Sequence, residues 1–178
     1  MRPYSGFSSR EAALGEILTL EQAVKQRRAL RDRGALVLTN GHFDLLHVGH
    51  LQYLEQARAL GAALFVGINS DGSTRRLKGP GRPLIPGVER ARLLAALAPV
   101  DACILFEADT ATALVQALQP EIYAKGGDYA APLGKEPKPL PERPAVEAYG
   151  GRVVLIDYLP GHSTSALIAK IRALPDGT

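Results

Sequence analysis

Apolar positions along this chain fall into two alternating patterns. Nearly unbroken apolar runs occupy 35–39, 62–68, 101–106, 121–125 and 152–156. Such runs suit strands buried on both faces of a parallel sheet. Between them apolar residues recur at helical spacing. Leu51, Leu54, Ala57 and Leu60 form one stripe, Leu93, Leu94 and Leu97 a second, and Leu167, Ile168, Ile171 and Leu174 a third. Thr19 and Gln22 have the spacing of a capping box, so a helix is expected from there to about Arg33, with Gly34 as a left-handed stop. Gly61 is expected to end the second helix, Pro86 to open the next and Ser163 to cap the last. Residues 110–118 and 144–149 read as short helices.

Strands alternating with helices predict an α/β fold: a single Rossmann-like, doubly wound parallel sheet of five strands, with helices on both faces. Residues 1–18 are expected to form an arm and 19–178 one domain, with no internal repeat. Two stretches, 69–87 and 126–143, read as long irregular loops rich in glycine or proline. Sheets of this kind bind ligands beyond the C-terminal ends of their strands. That rule selects 40–50, 69–87, 125–129 and 161–165 for chemistry.

Composition narrows the classes. The 178 residues are 46 % hydrophobic, enough for one globular core. No apolar run approaches the roughly 20 residues of a membrane span, and the first residues lack the pattern of a secretory signal. Cys103 is the single cysteine, which suits a reducing compartment. A cytoplasmic protein with no membrane partner is therefore expected, with Cys103 an inert buried thiol. The net charge of +3, from 21 basic and 18 acidic residues, is too small to argue for nucleic acid. The basic run 25–33 reads as a solvated helix face. With 6 Tyr, 4 Phe and no Trp there is no evident stacking platform for single strands.

The stretch LVLTNGHFDLLHVGH, residues 36–50, places an apolar strand, a turn expected at Asn40-Gly41 and a helix N-terminus in succession. Such a helix end offers free N–H groups and a positive dipole to an anion. His47 and His50 are suited to donate to phosphoryl oxygens, and Gly49 leaves room for close approach. Ordinary capping histidines and a metal site that includes His42 are the other readings, though the spacings match no standard zinc pattern. Lys78, with Arg75, Arg76 and Arg82, is either solvated or directed at phosphate. Lys125-Gly126-Gly127-Asp128-Tyr129 is either a plain turn or a backbone cradle with a cation. Ser163-Thr164-Ser165 is either an N-cap or an anion site, and Ala166 supplies no competing carboxylate. Arg90 lies in a first helical turn, where the dipole disfavours a cation, so Glu89 or a bound anion must offset it. Asn40 suits a left-handed turn, and Asp44 either caps the turn or meets Mg²⁺ through water.

Residues 41–50, GHFDLLHVGH, resemble the GxFDxxHxGH motif of the cytidylyltransferase-like nucleotidyltransferases, relatives of the HIGH-motif aminoacyl-tRNA synthetases. The likeness continues through VGINSDGSTRRLKGPGRP (66–83), Glu89-Arg90, KGGDY (125–129) and GHSTSALI (161–168). In that order these motifs resemble the adenylyltransferase domain of the bacterial ADP-heptose synthases, over roughly residues 17–174. Two features depart from it. His42 stands where that subfamily usually has Cys, and segment 130–145 is longer and richer in proline. No sugar kinase domain accompanies the match.

The resemblance implies transfer of AMP from ATP, with Mg²⁺, to a sugar 1-phosphate, D-glycero-β-D-manno-heptose 1-phosphate. It implies in-line attack on the α-phosphorus, release of pyrophosphate and no covalent enzyme intermediate. It assigns catalysis to His47, His50 and Lys78. Nucleotide binding falls to Asn40, Gly41, Phe43, Gly49, Arg90, Lys125, Gly127, Asp128, Ser163 and Thr164. The acceptor falls to Asp44, Asn69, Asp71, Arg75 and Arg82. No protein-held metal is expected, and a homodimer is suggested by likeness alone. Other readings are a cytidylyltransferase for glycerol 3-phosphate or a similar ester, a catalytically silent nucleotide sensor on the same fold, and a fragment acting on tRNA.

Overall fold

The computed structural model describes residues 14–126, 139–157 and 159–175. Strands β1 (Glu16–Leu18), β2 (Leu36–Gly41), β3 (Ala63–Asn69), β4 (Ala102–Phe106), β5 (Ile122–Gly126) and β6 (Arg152–Ile156) form one parallel sheet. Their order is β1-β4-β3-β2-β5-β6. Helices α1 (Leu20–Leu30), α2 (Val48–Arg58), α3 (Asp71–Lys78), α4 (Gly87–Ala95), α5 (Thr112–Leu118), α6 (Arg143–Glu147) and α7 (Thr164–Arg172) connect them. The direction of winding reverses at β2, which has β3 on one side and β5 on the other. A crevice opens at such a reversal, past the strands' C-terminal ends.

Two cores flank the sheet. Val37, Leu64, Val66 and Cys103 pack with Leu54 and Ala57 of α2 and Ala91 and Leu94 of α4. Leu36, Leu38, Phe65 and Tyr123 pack with Ala23 of α1, Leu114 and Leu118 of α5 and Val146 of α6. Both faces of β2 and β3 are thus covered, which explains their continuous apolar sequence. Burial pushes the Cys103 thiol up to about 12, as expected for an inert side chain.

The structure corrects several expectations. The sheet has six strands, because β1 lies in the stretch assigned to the arm and pairs Glu16 with Ala102. A three-residue edge strand is too short to show a period. The first part of the 69–87 loop is helix α3, opened by the Ser70 hydroxyl accepting from the Ser73 N–H at 3.1 Å. Its sequence, DGSTRRLK, carries no apolar stripe to announce it. Asn40-Gly41 is not a turn but the end of β2. Helix α1 has the expected Thr19–Gln22 capping box but ends at Leu30, so Gly34 (φ 120°) follows a separate turn. Gly61 has no positive φ. It is needed for space, since a Cβ there would lie 2.4 Å from the Ala35 carbonyl oxygen. Leu93, Ile171 and Leu174 point outward rather than into the core.

Candidate active site

One cavity of about 520 Å³ occupies the crevice between the ends of β2 and β5. Asn40, Gly41, His42, Phe43 and Asp44 form its floor, and His50 of α2 one wall. Thr74, Leu77 and Lys78 of α3, Lys125 and Gly126 of β5, and Thr164 and Ser165 of α7 supply the others. Asn69 and Arg82 also line it.

Helix α2 begins at Val48 with His47 as its N-cap, and the His47 side chain makes no capping bond. The first turn therefore keeps N–H groups open to an anion. The rings of His47 and His50 stack, with centroids 3.9 Å apart and planes 23° apart. Phe43 holds this pair from below. It adopts a left-handed backbone (φ 47°) that is uncommon for a bulky residue, and tilts its ring 5.3 Å from that of His50. Its edge leaves no room for a Cβ on Gly41, which would meet it at 3.0 Å. Gly49 is equally confined. A Cβ there would lie 3.0 Å from the His47 ring and 3.1 Å from the Cβ of His162.

The imidazoles are kept neutral. Burial, then the neighbouring His47, push His50 down to about 4, the Leu45 backbone opposing. Burial and His162 lower His47. His42, half-buried, is pushed down to about 4 by burial and then by Lys78, Arg90 and Lys125, against Asp44. A bound polyanion reverses this balance by favouring the charged rings.

Asn40 and Lys125 face each other across the β2–β5 junction. The Lys125 ammonium donates to Asn40 Oδ1 at 2.9 Å, and the Tyr123 hydroxyl donates to the same oxygen. The Asn40 carbonyl oxygen is thus engaged, which leaves its amide N–H groups as donors. Lys78 ends α3 at the cavity rim, exposed.

Among the described residues Arg90 is the largest fully buried side chain, and it does not line the cavity. It donates to the carbonyls of His42, Ile85 (2.9 Å) and Asn69 (2.9 Å) and pairs with Asp71 at 2.7 Å. It braces the cavity from behind, in place of the nucleotide contact expected from sequence. Asp71 also accepts from the Gly87 N–H at 2.8 Å. Asp44 pairs with Arg82 and accepts from the N–H groups of Leu84 (2.7 Å) and Ile85 (3.0 Å). That is the capping role, acting on the loop after α3 rather than on its own turn. Ser163 caps α7 by accepting from the Ala166 N–H at 3.1 Å. Arg75 is exposed on α3 outside the cavity. Gly127 and Asp128 lie outside the described residues.

Sequence reasoning passed over Thr74, Tyr53 and His162. Thr74 was hidden in the presumed loop. Tyr53 bonds Thr39 at 2.6 Å beneath the floor and resembles an ordinary stripe residue. His162 was legible in principle, since it precedes the serine–threonine run.

A family model described as cytidylyltransferase-like matches residues 38–168, which contain every wall of this cavity. The chain belongs to the cytidylyltransferase-like family. Among curated members of that kind it is 47 % identical over 169 residues to the bifunctional protein HldE of Syntrophotalea carbinolica, covering 90 % of this chain and 33 % of that protein. It is 51 % identical to HldE of Geotalea uraniireducens, over 82 % of this chain and 29 % of the relative. The chain thus spans about a third of the length of these relatives. A solved lipopolysaccharide core biosynthesis protein from Thermoplasma volcanium superposes with a TM-score of 0.56 at 25 % identity, covering 71 % of this chain and 97 % of that one. Pantoate-beta-alanine ligase from Francisella tularensis, at 12 % identity and a TM-score of 0.55 over 92 % of this chain and 81 % of that one, shares the fold.

Proposed function

We propose that this cytidylyltransferase-like chain transfers AMP from ATP to a sugar 1-phosphate, D-glycero-β-D-manno-heptose 1-phosphate, giving ADP-heptose and pyrophosphate. The observation that carries this reading is one cavity that joins His50, on which His47 stacks, to Lys78, Lys125 and the N-terminus of α7. The 42–51 % identity to HldE proteins and the motif resemblance direct the choice of base and acceptor.

An oxygen of the acceptor phosphate attacks the α-phosphorus of ATP, a new P–O bond forms, and the bond to the oxygen bridging to the β-phosphorus breaks. Both electrons of that bond leave with pyrophosphate. The protein's part is alignment and neutralisation of charge. His47 and His50 donate to the triphosphate, with the open first turn of α2 beside them. Lys78, at the α3 end of the cavity, and Lys125 neutralise phosphate from the opposite side. Thr164 and the capped start of α7 meet the terminal phosphates, and Arg82 the acceptor.

Among the described residues no group of His, Cys, Asp and Glu is arranged to hold a metal ion. Asp44, the carboxylate on the cavity floor, is already committed to Arg82 and two backbone N–H groups. Mg²⁺ is proposed to enter with the nucleotide substrate. No helix among the described residues is long and apolar enough to cross a membrane. The buried lone thiol fits action in the cytoplasm. A homodimer, drawn from family likeness, is tested by sedimentation.

The reading is tested by offering ATP, CTP, GTP and UTP against a panel of sugar and polyol phosphates and recording pyrophosphate. Release is expected with ATP and the heptose 1-phosphate. Release with CTP and glycerol 3-phosphate alone would overturn the substrate, and no release with any pair would favour a sensor.

A further inference from the structure

His42 sits at the end of β2, on the cavity floor, and the scheme above gives it no task. Its Nδ1 lies 3.0 Å from the hydroxyl oxygen of Thr74. Thr74 is buried in α3, and its hydroxyl donates to the Asn69 carbonyl at 3.4 Å. A hydroxyl has one hydrogen to give. Where that hydrogen lies on Asn69, the Thr74 oxygen accepts from His42 and the imidazole proton sits on Nδ1; where it lies on Nδ1 instead, the proton sits on Nε2. In the first arrangement Nε2 carries the ring's lone pair. It makes no hydrogen bond within the described residues, and it is not sealed from solvent as the Nδ1 atoms of His47 and His50 are.

The charges around the ring bear on the choice. The groups acting on His42 are Lys78 from α3, Arg90 from α4 and Lys125 from β5, opposed by Asp44. Three cations and burial keep the ring neutral. Lys78 and Lys125, which line the cavity, favour the first arrangement, whose lone pair, the negative end of the ring dipole, faces them. A neutral ring in this state cannot donate to a phosphate oxygen through Nε2. It can only accept, from O–H or N–H. The neighbouring Lys78, Arg82, Lys125 and the Asn40 amide are donors suited to phosphate. In the first arrangement His42 is an acceptor placed beside them.

We propose that His42 is a specificity-determining residue whose Nε2 accepts a hydrogen bond from a hydroxyl group of the phosphorylated acceptor, and that Thr74 is the positioning residue that fixes its tautomer. This rests on the acceptor being a sugar phosphate, as read above. It gives the cavity a preference for acceptors that carry a hydroxyl near the phosphate over deoxy analogues, because an analogue without it leaves Nε2 without its partner from the substrate.

The test combines NMR with kinetics. In ¹⁵N-labelled protein at pH 7, with the His42 signals assigned by their loss in His42→Gln, Nδ1 is expected protonated and Nε2 not. Thr74→Val is expected to move the proton toward Nε2, while Thr74→Ser, which keeps the hydroxyl, leaves it on Nδ1. His42→Ala is expected to raise the acceptor KM about tenfold with the ATP KM nearly unchanged, and His42→Gln, whose amide oxygen also accepts, to recover part of it. A charged ring or an Nε2–H tautomer in the wild-type protein overturns the proposal whatever the turnover. So does an equal rise in both KM values, or none in either. A correct tautomer in a protein that releases no pyrophosphate from any pair overturns the functional reading, and the acceptor hydroxyl with it.

Discussion

Arg90 of α4 and Asp71 of α3 form a 2.7 Å ion pair in which the arginine side chain has no exposed surface. The same guanidinium holds the carbonyls of His42, Asn69 and Ile85, one from each segment that converges behind the cavity. Arg90→Ala leaves those oxygens without their donor, and a loss of about 3 kcal/mol is expected in urea unfolding. Arg90→Lys should recover little, since an ammonium on a flexible stem cannot span partners set for a planar fork. A loss below about 1 kcal/mol would show that water replaces the guanidinium freely.

The stacked His47/His50 pair makes its own prediction. His50→Ala should lower kcat by a hundredfold or more, corresponding to roughly 2.7–4 kcal/mol of lost stabilisation in the transition state. The core should survive, because Phe43 and the α2 stripe remain packed. Near-normal kcat in a folded His50→Ala protein would remove the residue from the chemistry.

Acid should weaken the fold through the same neutral rings. His42 and His50 are each pushed from 6.5 down to about 4 in the folded chain. Between those values the unfolded chain binds more protons, so stability falls as pH drops from about 6.5 towards 4, and above 6.5 these groups add no further dependence. Each ring contributes a slope of at most ~1.4 kcal/mol per pH unit, reduced by its partial exposure. Chemical denaturation at pH 7.5 and 5 should show the drop, and the His42→Gln, His50→Gln double variant should show a shallower one. An unchanged slope in that variant would mean that other groups govern acid sensitivity.

Two glycines should separate stability from chemistry. A Cβ at Gly61 meets the Ala35 backbone at 2.4 Å, so Gly61→Ala must move the strand start and should cost roughly 1–3 kcal/mol. At Gly49 the obstructing atoms are the His47 ring and His162 Cβ. Gly49→Ala should therefore cost mainly turnover, by displacing the histidine that caps α2. Thermal melts and kinetics on both variants decide this, and a Gly49→Ala protein of full activity would count against His47 needing its present position.

Much of this fold was legible because its central strands are buried on both faces and its helices carry stripes. The exceptions share a cause. β1 is an edge strand of three residues, and α3 is a polar helix lying across the strand ends rather than on the sheet, so neither has an apolar period. In the site, His50 and Lys125 line the cavity and His47 stacks on His50. Arg90 and Asp44 were recognisable as unusual, but their partners are carbonyls and N–H groups supplied by distant loops, which no local pattern reveals. Thr74 was missed because its meaning lies in a bond to a residue 32 positions away.

The reversal at β2 also sets the order in which the cavity is built. β2 meets β3 across a 27-residue separation (Leu36 with Ala63), but it meets β5 across 85 residues (Val37 with Ile122). Loop closure of that length opposes early pairing, and contacts so distant in sequence form slowly. The Asn40–Lys125 bond belongs to the second, late junction. Refolding should therefore restore far-ultraviolet dichroism before it restores binding of a fluorescent ATP analogue, and simultaneous recovery would contradict this order. A chain still in synthesis, lacking β5, holds the histidine motif but not its opposing wall. On the proposed reading, nucleotide capture is thus withheld until the sheet is joined across its middle.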